Sequence, residues 1–97
     1  MKTFAEIKDR LLQQKQILKE QYKVKRVGIF GSYARSEQTQ KSDVDILVDY
    51  EEVPSLFSLL ELEYYLEEVL NLKVDLVTPN GIKPQLKETI LNEVVYI

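Results

Sequence analysis

Ninety-seven residues are the scale of one domain, read here as 1–97, with room for one core. Thirteen Lys and Arg against 16 Asp and Glu leave a net charge of −3, which argues against broad nucleic-acid binding; no direct nucleic-acid partner is expected. The chain has no Cys and no His, so disulfides, thiolate zinc sites, cysteine nucleophiles and the commonest general base are all excluded, and any metal site must be built from oxygen: Mg²⁺, Mn²⁺ or Ca²⁺.

Residues 1–21 carry charge throughout, which fits neither a signal peptide nor a membrane span; a cytoplasmic protein without membrane contact is expected. Residues 3–21 read as one amphipathic helix. Thr3 and Glu6 fit a capping box, and Phe4, Ile7, Leu11, Leu18 and Tyr22 recur at helical spacing. Val24–Phe30 is a β-prone run ending at Gly31, and Ser32–Ser36 opens a short helix. Asp43–Asp49 is a second strand, with Val44, Ile46 and Val48 on one face and Asp43, Asp45, Leu47 and Asp49 on the other.

Pro54-Ser55 starts a helix with Leu59, Leu62, Leu66, Val69 and Leu70 on one stripe, stopped by Asn71. Lys73–Val77 is a third strand, closed by the turn Pro79-Asn80-Gly81. Pro84 starts a last helix with Leu86, Ile90 and Val94 stacked at i, i+4. The predicted order is α-β-α-β-α-β-α, an α/β (α+β) fold. The Gly31–Ser42 connection is near the lower limit for a parallel crossover, so the small sheet can be mixed.

Three features bear chemistry. Gly31-Ser32 sits at a strand-to-helix junction, where backbone N–H groups and the helix dipole favour phosphate; a plain turn and cap is the common alternative. Asp43 and Asp45, at i and i+2 on a strand, project from one face and repel unless a cation lies between them; a solvated strand face is the ordinary reading of a lone pair. Asp75 is a single acid within an apolar strand, either an anti-aggregation charge on an edge or a third carboxylate for the same metal site and a proton acceptor.

Taken together, Gly31-Ser32, ten intervening residues, Asp43-x-Asp45 and a third Asp on the next strand resemble the signature of the nucleotidyltransferase (polymerase beta-like) superfamily. The text GSYARSEQTQKSDVDILV, with Arg35, Ser42 and the closing LKETILNEVVYI, is similar to the minimal nucleotidyltransferases, MntA-like antitoxins of HEPN–MNT toxin–antitoxin systems, over essentially the whole chain. The resemblance implies a nucleotidyltransferase fold. It further implies nucleotide binding by Gly31 and Ser32, and two Mg²⁺ ions held by the catalytic Asp43, Asp45 and Asp75. The reaction it implies is transfer of AMP from ATP to a tyrosine of a HEPN-domain toxin. Arg35 is either a phosphate contact or half of an ion pair with Glu37 or Asp43. Lys41 and Ser42 flank the site, and Asp49, two pleats beyond Asp45, reads as solvated.

Two other functions fit the same residues: a non-catalytic antitoxin that covers its toxin, and a transferase acting on a small molecule of the aminoglycoside kind. The sequence offers no second domain to enclose a small acceptor, which favours a macromolecular one. A homodimer and a hetero-oligomer with the toxin are both compatible. Val95, Tyr96 and Ile97 read as a final helical turn tucked onto the core, with an interface as the alternative.

Overall fold

The computed structural model describes residues 2–97; Met1, the first residue of the expected domain, lies outside them. Helix α1 spans Phe4–Gln13 and opens on the predicted capping box: the Thr3 hydroxyl accepts from the Glu6 N–H, and the Glu6 carboxylate accepts from the Thr3 N–H. The single helix expected over 3–21 is two. The chain bends at Gln14, whose N–H donates to the carbonyls of Leu11 and Leu12, and α2 runs Lys15–Tyr22. The bend lets Ile7, Leu11 and Leu18 all reach the core. Lys23 then takes a left-handed conformation (φ 59°) that ends α2 and aims the chain into the sheet.

Strand β1 is Val24–Phe30, as predicted; α3 is a single turn, Gly31–Ala34; β2 is Val44–Tyr50. Ser55 caps α4 (Leu56–Leu70) by accepting from the Ser58 N–H, and Asn71 closes it in the left-handed region. Strand β3 is Val74–Val77, a 3₁₀ turn covers Pro79–Gly81, and α5 is Pro84–Glu93. The ending departs from expectation. Val94 adopts extended backbone (ψ 137°), and Val95–Tyr96 form a fourth strand, β4, rather than a helical turn. The β-branched pair Val94-Val95 suits a strand, and Gly28 on β1 leaves room for the approach, since a Cβ there would lie 2.5 Å from Val94 Cγ2.

The sheet is mixed, in the order β3-β2-β1-β4. β1 pairs antiparallel with both β2 and β4, and β2 pairs parallel with β3. The short Gly31–Ser42 link accordingly joins antiparallel strands, while the parallel step from β2 to β3 uses the fifteen-residue α4 as its crossover.

One sheet face buries Val44, Ile46, Val48 and Val74 against Ile7 and Leu11 of α1 and Leu62, Leu66 and Leu70 of α4. The other buries Phe30, Leu47 and Ile82, with Ile90, Val94 and Tyr96 packed beside them. Leu86 does not join this face as its i, i+4 spacing suggested; it is 49% exposed, because only the C-terminal half of α5 lies on the sheet. The Asp-bearing face of β2 is thus half core and half open, and the open half is where Asp45 sits. Among the described residues no helix is long and apolar enough to cross a membrane.

Candidate active site

Register builds the site. On β2 and β3 the parallel pairing sets Asp45 beside Asp75, and on β1 and β2 the antiparallel pairing sets Phe30 beside Asp45. Residues in register share a sheet face, so both carboxyls lie on the same side, next to the turn that begins at Gly31. Gly31 has φ 75°, the left-handed region that penalises a side chain. A Cβ there would run into Asp45 Oδ2 and lie 2.8 Å from Asp45 Cγ. Glycine is therefore required twice over: for the backbone angle, and for letting the Asp45 carboxylate stand directly under the turn.

Ser32 follows, half-buried, and the turn is closed by Arg35 N–H donating to the Gly31 carbonyl at 3.1 Å and Glu37 N–H donating to the Ser32 carbonyl at 2.8 Å. Because α3 is one turn long, the dipole expected to assist phosphate is that of a few peptides, and the local N–H groups carry most of any such attraction.

Electrostatics mark Asp45. Its carboxyl is pushed from 3.8 up to about 6, first by burial, then by the charge of Asp75 and a hydrogen bond with it, then by the charges of Asp43 and Glu93. Asp43 stands just before β2, exposed, close enough to act on Asp45 and on the buried Tyr33, whose hydroxyl is raised by burial and by Asp43. Among the described residues no three acidic side chains already stand at ligand spacing. The three Asp are neighbours in charge rather than a closed cage. Their chemistry suits a divalent cation, because oxygen ligands of like charge bear on Asp45 and a cation among them would relieve that repulsion.

Arg35 takes the ion-pair alternative, though with a different second partner. It binds Glu93 at the end of α5 and Glu37 at 3.2 Å, not Asp43. Ser42 works locally, accepting from the Thr39 N–H at 2.9 Å, and Lys41 donates its N–H to Thr39 Oγ1. Asp49, expected to be solvated, is partly exposed and pairs with Arg26 at 3.6 Å. Two acids near the site were not singled out from sequence. Glu93 bears on Asp45 and anchors Arg35, and Glu63 of α4 is raised by burial and by Glu67 and Asp75. Neither had a local signal: Glu93 shares its stretch with Lys87, Glu88 and Asn92, and glutamates such as Glu63 are ordinary on helices.

Comparison with known proteins bears on the family and the fold. Residues 11–97 match the family described as the nucleotidyltransferase domain. The chain is 55% identical over 98 residues to a candidate protein adenylyltransferase of Methanocaldococcus jannaschii, covering all of both chains. It is 50% identical over 97 residues to the protein adenylyltransferase MntA of Thermococcus cleftensis, covering 100% of this chain and 98% of that one. Among solved structures, a candidate minimal nucleotidyltransferase superposes with a TM-score of 0.83 at 32% identity, over 97% of this chain and 95% of the other. The fold also matches a MNT antitoxin in complex with the tri-AMPylated HEPN toxin of Shewanella oneidensis, with a TM-score of 0.63 at 23% identity, over 90% of this chain and 70% of that one. The chain belongs to the nucleotidyltransferase domain family and, within it, to the minimal protein adenylyltransferases of the MntA kind.

Proposed function

We propose that this single domain is a Mg²⁺-dependent antitoxin that transfers AMP from ATP to a tyrosine hydroxyl of a HEPN-domain toxin. The observation that carries the reading is the in-register pair Asp45 and Asp75 beside the Gly31 turn, with Asp43 two residues away. Its support from relatives is that proteins named adenylyltransferases share half or more of these residues, and that a fold neighbour is a MNT antitoxin bound to an AMPylated HEPN toxin.

Asp43, Asp45 and Asp75 would hold two Mg²⁺ ions, which when bound neutralise triphosphate charge and polarise the α-phosphate. The backbone N–H groups around Gly31 and Ser32, with the Ser32 hydroxyl, donate to the phosphate oxygens. Asp75, whose strand β3 lies at the sheet edge, takes the proton of the tyrosine hydroxyl in this reading. The tyrosine oxygen forms a bond to the α-phosphorus, the bond from that phosphorus to the bridging oxygen breaks, and pyrophosphate leaves. Arg35 swings from Glu93 to the triphosphate.

The test is to incubate the chain with Mg-ATP and the HEPN-domain protein of the adjacent reading frame and weigh that protein. A gain of one or more AMP, lost in Asp43→Asn/Asp45→Asn, is expected. An unmodified acceptor with folded, correctly paired proteins refutes the reaction. Neutralisation of the toxin in cells by the double variant, at equal abundance, would favour the antitoxin that acts by covering alone.

A further inference from the structure

Helix α4 turns one face to the core and leaves an apolar stripe on the other. Leu56 is 69% exposed, Phe57 77%, Leu60 40% and Tyr64 65%, and Val53 just before the helix is 89% exposed. Leu56, Leu60 and Tyr64 follow one another at i, i+4, and Phe57 lies beside them, so the four form one contiguous patch rather than scattered apolar residues. Along the helix and its approach the charges are of one sign. Residues 51–72 contain Glu51, Glu52, Glu61, Glu63, Glu67 and Glu68 and no Lys or Arg.

The patch also adjoins the site. Glu67 accepts from the Val74 N–H at 3.1 Å and so fixes α4 along β3, and Glu63, one turn earlier, feels the charge of Asp75. β3 is an edge strand of the sheet. A surface resting on α4 can therefore pass over that edge to the Asp75 side.

We infer that the exposed stripe of α4 docks the protein acceptor of AMP transfer, through a surface that offers apolar side chains bordered by Lys and Arg; the inference rests on the reading of the chain as a protein adenylyltransferase. Charge selects this occupant. A second copy of the chain would set six glutamates against six, and an anionic lipid surface would meet the same repulsion. A basic-rimmed apolar face satisfies both halves of the patch and holds its tyrosine near Asp75.

The test compares the wild-type chain with Phe57→Glu/Tyr64→Glu and with Glu61→Lys/Glu68→Lys, none of which touches the nucleotide site. Calorimetry gives the dissociation constant for the HEPN-domain acceptor, and intact-mass kinetics give KM for that acceptor and for ATP. Each double variant is expected to weaken binding by about tenfold or more and raise KM for the acceptor alike, with KM for ATP and the melting temperature kept. Binding is read without turnover: a wild type that binds but forms no AMP adduct refutes the reaction, while the surface is still judged by the variants' dissociation constants. Wild-type affinity in both variants overturns the docking surface, as does a wild-type chain with no affinity for the acceptor. A wild-type dimer in sedimentation that Phe57→Glu/Tyr64→Glu dissolves also overturns it, because a second copy is then the occupant.

Discussion

Asp45→Asn should stabilise the metal-free protein while abolishing transfer. The Asp45 carboxyl is raised from 3.8 to about 6 by burial and by its acidic neighbours, so the folded state holds its proton more tightly than the unfolded chain does. Stability therefore falls as pH rises through the interval from 3.8 to about 6; the penalty is absent below it and complete above it. At 1.36 kcal/mol per pH unit the interval is worth about 3 kcal/mol. Because the carboxyl is only half-buried, solvent screening reduces this to about 1–2 kcal/mol. Asn keeps the shape and removes the charge. Above pH 7.5, with chelator present, the variant should melt roughly 4–10 °C higher than wild type, and the gain should vanish near pH 4. Differential scanning fluorimetry across pH 4–8 measures both curves. An unchanged or lower melting temperature at pH 8, or a gain that ignores pH, would refute the idea that crowded charge is stored at this position.

Gly31→Ala should cost about 1–2 kcal/mol from the left-handed backbone alone and displace Asp45, so denaturant melts should shift and AMP transfer should be lost. Mg²⁺ at ten times its dissociation constant should add about 1.4 kcal/mol, seen as a melting shift that disappears in Asp43→Asn/Asp45→Asn. Arg35→Ala should raise KM for ATP with little change in melting temperature, since its guanidinium is half exposed in both ion pairs; an unchanged KM would leave Arg35 a surface tie alone. Leu66→Ala, at a position with no exposed surface, should cost about 2–5 kcal/mol in urea melts while leaving KM for ATP unchanged in the surviving folded fraction.

Local signals were legible where a residue's own chemistry decides its geometry. The Thr3–Glu6 box, Ser55 before α4, Asn71 after it and the run Val24–Phe30 all stand where the sequence puts them. The spacing from Gly31 to Asp45 also picked out residues that the fold brings together. What sequence missed depends on distant partners. The bend at Gln14 exists because Leu11 and Leu18 must reach the same core, and no local breaker announces it. Val95-Tyr96 became a strand because Gly28 opens a lane beside β1, some 67 residues earlier in the chain. Leu86 kept helical spacing yet faces water, because α5 covers the sheet only near Ile90 and Val94. Glu93 acquires its place beside Asp45 through that same docking.

The arrangement of the acids is a consequence of register more than of side-chain packing. Strand side chains alternate faces, so a slip of one residue between β2 and β3 would bring Asp45 opposite Val74 or Leu76 and send Asp75 away from it. What prevents the slip lies on the far side of the sheet. Val74 is fixed there by the apolar cluster it shares with Val44, and its N–H by the Glu67 carboxylate of α4. A slipped strand would turn Val74 into water and press Asp75 into Leu62 and Leu66, a cost no charge relief at the site could match. The burial that holds β3 in place thus forces two carboxyls together on the opposite face, and their crowding is sustained by the core behind it.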